Sequence, residues 1–217
     1  MVIVQDVCVD KWESIVVQLR PNAVEKLWSP YISPRGSKWP VRALSKPGVV
    51  PQAYISGQKA QEACRASGKR LCSAAEWEAA CRGPAGTTYP YGDTRTKGKC
   101  NDDGRKGHPV ATVTSRLGLP KDRMWYEGMQ HPLINQLKNT LRKTGSRPGC
   151  TNEYGALDMV GNLHEWIDDA SGTFRGGFYM DTKINGEGCN YRTRAHNFKY
   201  RDYSTGFRCC MDADDVE

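Results

Sequence analysis

Nine cysteines, at positions 8, 64, 72, 81, 100, 150, 189, 209 and 210, constrain this 217-residue chain more than any other feature. None of them forms a CxxC pair, so their scatter favours disulfides over zinc ligation, and with disulfides an oxidising compartment. The count is odd, which leaves one thiol free or paired outside the chain. Bridges suit the rest of the composition. Gly and Pro supply 22 and 12 residues, and long polar stretches separate the few periodic segments, the pattern of a fold built largely from loops. The length and the 38% hydrophobic content fit one domain over residues 1–217, with cross-links supplying what a loop-rich core lacks.

Periodicity places a few elements. VCVDKWESIVV alternates apolar residues and reads as one strand, and the aperiodic, proline-punctuated stretch from Leu19 to Pro51 reads as a surface loop. In ISGQKAQEACRASGKRL, Ser56 caps a helix whose apolar stripe is Ala60, Ala63 and Cys64, and Gly68 ends it. In SAAEWEAACRG, Ser73 and Glu76 form a capping box, Trp77, Ala80 and Cys81 share a face, and Gly83 stops the helix. YPYG is a turn, INQLKNTLRK a short helix, and TFRGGFYM and STGFRCC are strands.

The formal charge of +7 is concentrated between Arg95 and Arg147, where 12 Lys and Arg face 4 Asp and Glu. A basic insertion of about 95–150 is suited to an anionic partner, yet no recognition helix or RNP-like pattern accompanies it, so the expectation is a solvated insertion and no nucleic-acid partner. The first residues lack a basic-then-apolar leader, and no run of about 18 apolar residues occurs. Because the cysteine pattern points to an oxidising compartment, the chain is expected to be extracytoplasmic (periplasmic, secreted or cell-surface), with its signal peptide absent from the given sequence and no transmembrane segment.

The ordered series CVDKWE, SGKRLCSAAEWEAACRG, YPYG, DMVGNLHEW, FRGG and TGFRC, from about residue 7 to 210, resembles the formylglycine-generating enzymes, or sulfatase-modifying factors. The resemblance implies an α+β, C-type-lectin-like fold, loop-rich, with small twisted sheets, two main helices and the terminal strands brought together. It implies Ca²⁺ at the loop matching DMVGNLHEW, through the Asp158 and Glu165 side chains and the Gly161 and Leu163 carbonyls, a mixture calcium accepts. The alternative leaves Asn162 in a turn, Trp166 in the core and Glu165 solvated. Of the family's second calcium loop only Asn101 is in place. Cys64 matches a cysteine that pairs with Cys209. Cys81 matches one whose partner is missing here, with Cys189 the nearest substitute. Cys100 with Cys150, and Cys8 or Cys72 with Cys210, complete the set as guesses.

The family's oxidases bind copper(I) and a substrate thiol with two cysteines after the GG of this strand. Here RGGFYMDTKINGEGCNYRTRAH puts Asp181 at the first position and Phe178 at an expected serine, leaving only Cys189 near the second, so formylglycine-generating activity is not expected. Histidine-ligated iron, as in related sulfoxide synthases, would require a helical domain with no counterpart here. Candidate catalytic groups are Cys189, Asp181 and His196, with Glu187 nearby. Each has a plain structural reading: a disulfide, loop carboxylates and a capping or surface histidine. His164, where relatives often carry tryptophan, is read as pocket wall. Tyr179, Asp181, Tyr191, Arg192 and Arg194 are candidate ligand-binding residues, because Tyr and Arg are enriched at binding hot spots and Phe178, Phe198, Tyr200 and Tyr203 interleave with them. The expected function is an exported, disulfide-stabilised, calcium-binding module that binds a protein, peptide or glycan. The alternative is a divergent oxidoreductase using Cys189 with copper or iron.

Overall fold

The computed structural model describes residues 1–215. In chain order its strands and helices are β1 (Val2–Val4), β2 (Val7–Val9), β3 (Ser14–Leu19), β4 (Glu25–Leu27), β5 (Val41–Ser45), α1 (Gly57–Arg65), β6 (Arg70–Leu71), α2 (Ala74–Arg82), α3 (Pro109–Arg116), β7 (His164–Trp166), β8 (Phe174–Arg175), β9 (Arg192–Thr193), β10 (Thr205–Phe207) and β11 (Cys209–Asp212), with short 3₁₀ turns between them. Three small sheets result, ordered β1-β2-β11-β6, β10-β7-β8-β9 and β4-β3-β5. The C-terminal β11 pairs antiparallel with β2, Cys210 opposite Val9, so the two ends of the chain close one sheet.

The single strand expected in VCVDKWESIVV divides between two sheets. It breaks at Asp10–Glu13, where Asp10 and Glu13 are buried and Asp10 is paired with Lys69 at 2.5 Å. The stretch expected to be loop contributes β4 and β5 on either side of β3, with Ile15 opposite Leu44 and Val17 opposite Leu27. Its prolines lie outside these strands, where no ladder hydrogen bond is lost.

Both main helices follow their sequence signals. The Ser56 side chain accepts from the Lys59 amide and caps α1. Ser73 and Glu76 satisfy each other's backbone donors at the start of α2, and Gly83 at φ +67° closes it. Cys64 on α1 bonds to Cys209, and Cys81 on α2 to Cys189. Cys72 bonds to Cys210 and Cys100 to Cys150, leaving Cys8 free and buried. Adjacent residues of a strand point to opposite faces, so Cys209 and Cys210 fasten β11 to two different cores. Cys209 and Cys64 pack with Trp166, Phe174 and Phe207, whereas Cys210 and Cys72 pack with Trp77, Tyr89 and Met159.

The basic insertion is not a solvated excursion. Val110, Val113 and Ile134 are fully buried and form a third core with Tyr54, Leu163, Tyr179 and Tyr203. α3 is faint in the sequence because its two buried valines, Val110 and Val113, make only one helical repeat. INQLKNTLRK, expected to be a helix, gives only a 3₁₀ turn at Ile134–Gln136, with Asn135 drawn off to donate to the Tyr203 carbonyl at 2.6 Å and accept from the Tyr179 hydroxyl at 2.9 Å.

Candidate binding site

The RGG motif sets the site's floor. Gly176 and Gly177 have φ of +80° and +69°, and a Cβ at either would strike backbone, the Met159 carbonyl at Gly176 and the Asp181 carbonyl at Gly177. Only glycine lets β8 pass this close to the DMVGNLHEW loop and then turn. The chain beyond β8 folds back through a Phe178–Asp181 bridge and returns as β9, leaving a cavity of about 540 Å³ against it.

Aromatic rings make most of that cavity. Phe174, Phe178, Tyr191, Tyr200 and Tyr203 line it from the C-terminal part of the chain, and Trp125, Tyr126 and Met129 from the insertion. His164 sits at its wall with ring centroids 4.6 Å from Phe174, 4.8 Å from Phe178 and 5.3 Å from Tyr191. Burial, followed by the nearby His196, pushes its pKa down to about 3, so the ring is neutral, and its buried Nδ1 has no hydrogen-bond partner. His196 stacks on Tyr200 at 3.6 Å, and burial lowers its pKa as well. Asp202 lies beneath, accepting from the Tyr200 hydroxyl at 2.7 Å and from the Ser204 hydroxyl and amide at 2.7 and 2.8 Å; burial nonetheless raises its pKa.

Of the expected catalytic candidates only His196 lines the cavity; Cys189 and Asp181 do not join it there. Cys189 is fully buried and bonded to Cys81, and its amide donates to the Thr88 carbonyl. Asp181 caps the turn that follows it, accepting from the amides of Lys183 and Ile184 at 2.9 and 3.2 Å and from the Tyr191 hydroxyl at 3.0 Å. Glu187 precedes a 3₁₀ turn outside the cavity. Among the described residues no three His, Cys, Asp or Glu side chains are grouped to hold a metal. Of the expected ligand-binding residues, Tyr191 lines the cavity. Arg192 and Arg194 are exposed beside it without lining it, and Tyr179 is core, its hydroxyl turned to Asn135. Trp125 and Tyr126, 52% and 76% exposed, are the wall residues that sequence reasoning passed over. Their only signal was two adjacent aromatics in a polar stretch.

The DMVGNLHEW loop is held by charge. Arg208, fully buried, donates to both oxygens of Glu165 at 2.6 and 2.7 Å and to the carbonyls of Asp10 and Leu157, each at 2.8 Å. Trp77 also donates to Glu165 at 2.7 Å. Glu13 accepts from the Asn162 side chain at 2.5 Å and the Leu163 amide at 3.2 Å, and Asp158 accepts from the Gly145 amide at 2.7 Å. Three buried carboxylates thus share one guanidinium. Burial first, then repulsion from Asp158 and Glu165, raises the pKa of Glu13; burial raises Asp158 to about 6. Protonation of these carboxyls, whose pKa values are raised, or a nearby cation would relieve this surplus of buried negative charge. Glu165 is already committed to Arg208 and Trp77, whereas Asp158 is engaged only by the Gly145 amide.

Comparison with known proteins agrees with this architecture. The chain matches the sulfatase-modifying factor enzyme 1-like domain over residues 6–213, and belongs to that family. It is 28% identical over 219 aligned positions to the formylglycine-generating enzyme of Streptomyces coelicolor, covering 85% of this chain and 61% of that protein. It is 26% identical to the inactive C-alpha-formylglycine-generating enzyme 2 of Bos taurus, over 75% of this chain and 50% of that one. The chain therefore spans only about half to three-fifths of the length of these relatives. The crystal structure of CarF superposes with a TM-score of 0.48 at 16% identity, covering 86% of this chain and 72% of that structure. The fold is the α+β fold of this family, with four disulfides among the described residues. No helix among those residues is long and apolar enough to cross a membrane.

Proposed function

We propose that this domain is an exported binding module, without formylglycine-generating activity, that takes a protein, peptide or glycan ligand in the aromatic cavity beside β8 and β9. One observation carries the reading: the cavity is lined mostly by aromatic and imidazole rings, with no cysteine among its lining residues, while Cys189 is bonded to Cys81. Two-thiolate copper chemistry needs thiolates, and a disulfide supplies none. Four disulfides support export, since such bridges persist in oxidising compartments. The name of the bovine relative, an inactive member of the family, is consistent with loss of the oxidase chemistry on this fold.

Calcium belongs to the reading as a structural ion. Asp158, with the carbonyls of Gly161 and Leu163 and with Glu165 behind them, would hold it, and the ion would supply charge balance to the loop that carries His164 to the cavity wall. The oxidoreductase alternative needs Cys189 reduced, and so is the weaker reading.

The test is binding of the purified, unreduced domain to peptide and glycan arrays, beside oxygen consumption with copper and a cysteine-containing peptide. The expected result is array binding that Tyr126→Ala weakens, with no oxygen consumption above the copper blank. Oxygen-dependent loss of the peptide thiol, without a cavity-dependent ligand, would overturn it.

A further inference from the structure

Beside the aromatic cavity lies a second pocket of about 370 Å³ at the start of α1, lined by Arg35, Ser56, Gln58, Lys59, Glu62, Lys199 and Arg201. Four cations and one carboxylate face this space. Glu62 is engaged by Lys59 at 2.8 Å, and among the described residues no carboxylate is within ion-pair distance of Arg35, Lys199 or Arg201. Arg201 is the most constrained of them: its Nε is buried without a hydrogen-bond partner. Burial first, and then the charge of Arg35, lower its pKa. Like charges brought together at a concave surface raise the free energy of the empty pocket, and an anion that enters converts the repulsion into charge-assisted hydrogen bonds. The N-terminal end of α1 adds its dipole, although the Lys59 amide is already used by Ser56 and the Gln58 amide by the Phe198 carbonyl, so the side chains supply the contacts.

The pocket is continuous with the site described above. Lys199 and Arg201 also line the adjoining cavity together with Trp125 and Tyr126, and these two aromatics line the aromatic cavity in turn. The surface therefore runs from the positive charge of Lys199 and Arg201 to exposed rings, with one carboxylate, Glu127, on the connecting wall, where Arg123 pairs with it at 3.5 Å.

We infer that Arg35, Lys59, Lys199 and Arg201 form an oxyanion site for a sulfate, phosphate or carboxylate group, and that the remainder of the same ligand lies over Trp125 and Tyr126. The assignment rests on the reading of the neighbouring cavity as a binding surface, and it narrows the ligand to one that carries an anionic group beside a flat or apolar part. Arginine forks match all three oxyanions, so the choice among them is made by experiment.

The test is amide NMR of the intact, disulfide-bonded domain titrated with sodium sulfate, sodium phosphate, sodium acetate and their phenyl counterparts (phenyl sulfate, phenyl phosphate and benzoate), with ionic strength held constant by sodium chloride. The expected result is saturable shifts confined to Lys59, Lys199, Arg201 and their neighbours, with the oxyanion that saturates at the lowest concentration identifying the class. The phenyl counterpart should bind more tightly and extend the shifts to Trp125 and Tyr126. Arg201→Gln should weaken binding about tenfold or more, as expected for loss of one charge-assisted contact. Arg35→Gln, on an exposed side chain, should weaken it while leaving the melting temperature unchanged, which separates lost binding from lost folding. Shifts no larger than those caused by chloride, or affinity unchanged from the parent in both variants, would overturn the oxyanion site. If array ligands still bound in a Tyr126-dependent way, that failure would leave the cavity reading standing. Oxyanion binding without any effect at Trp125 or Tyr126 would sink the shared-ligand assignment.

Discussion

Replacing Arg208 by methionine tests what holds the site loop in place. Its side chain is fully buried and joins four parts of the chain: Glu165 on β7, Asp10 after β2, Leu157 before the loop, and its own position between β10 and β11. Breaking a buried ion pair by removing one partner costs about 3–5 kcal/mol, because the remaining charge stays buried. Here the penalty is enlarged, since Glu165, Glu13 and Asp158 would share no counter-charge and two carbonyls would lose donors. A loss of at least about 4 kcal/mol is expected out of the roughly 5–15 kcal/mol that stabilises a domain. For a chain of this length that corresponds to a fall in Tm of about 8–16 °C. Arg208→Lys keeps the charge and loses the fork, and should cost about 1.5–3 kcal/mol. Guanidinium denaturation with the disulfides intact, run on these variants, on Glu165→Leu and on the Glu165→Leu/Arg208→Met double variant, measures the Glu165–Arg208 coupling, expected to exceed about 2 kcal/mol. If Arg208→Met unfolded within about 1 kcal/mol of the parent, the claim that this pair organises the loop would be wrong.

His164 gives a pH dependence with a definite sign. Its folded pKa of about 3 lies below the unfolded value, so the unfolded state takes up the proton first and stability is lost as pH falls below about 6.5, by about 2 kcal/mol at pH 5. Asp158 acts oppositely: its raised folded pKa makes the folded state gain stability as pH falls through about 6 toward 4. The difference between parent and His164→Phe, measured from pH 7 to pH 5, isolates the histidine; a difference independent of pH would contradict its burial as a neutral ring. Calcium at a hundred times its dissociation constant should stabilise the domain by about 2.7 kcal/mol at pH 7, and Asp158→Asn should abolish that gain in a thermal scan. An unchanged calcium response in Asp158→Asn would exclude that carboxylate as a ligand.

Local rules carried the helices. Ser56, Ser73, Glu76 and Gly83 declare their caps in sequence, and each does in the structure what its chemistry dictates. Strand pairing was harder to read, because β6, β8 and β9 are two residues long and exist through their neighbours rather than through any alternation of their own. The insertion was misjudged for a related reason. Its net charge hides Val110, Val113 and Ile134, three apolar residues spread over 25 positions, whose burial depends on Tyr54, Tyr179 and Tyr203 from distant parts of the chain. At the site, the family resemblance pointed to the RGG strand and the DMVGNLHEW loop. It did not reveal that Trp125 and Tyr126 complete the cavity, or that Arg35, in a proline-rich stretch, meets Arg201. Those contacts arise from tertiary packing, which neither motif nor period encodes.

With Cys189 bonded to Cys81, the cavity beside β8 and β9 holds no thiolate. Mass-spectrometric disulfide mapping of protein purified without reductant, alkylated in the native state and analysed for metal on the same sample, tests it most directly. A linked Cys81–Cys189 peptide, alkylation of Cys8 only after unfolding, and no copper or iron are expected. Native alkylation of Cys189, with copper or iron bound in stoichiometric amount, would contradict it.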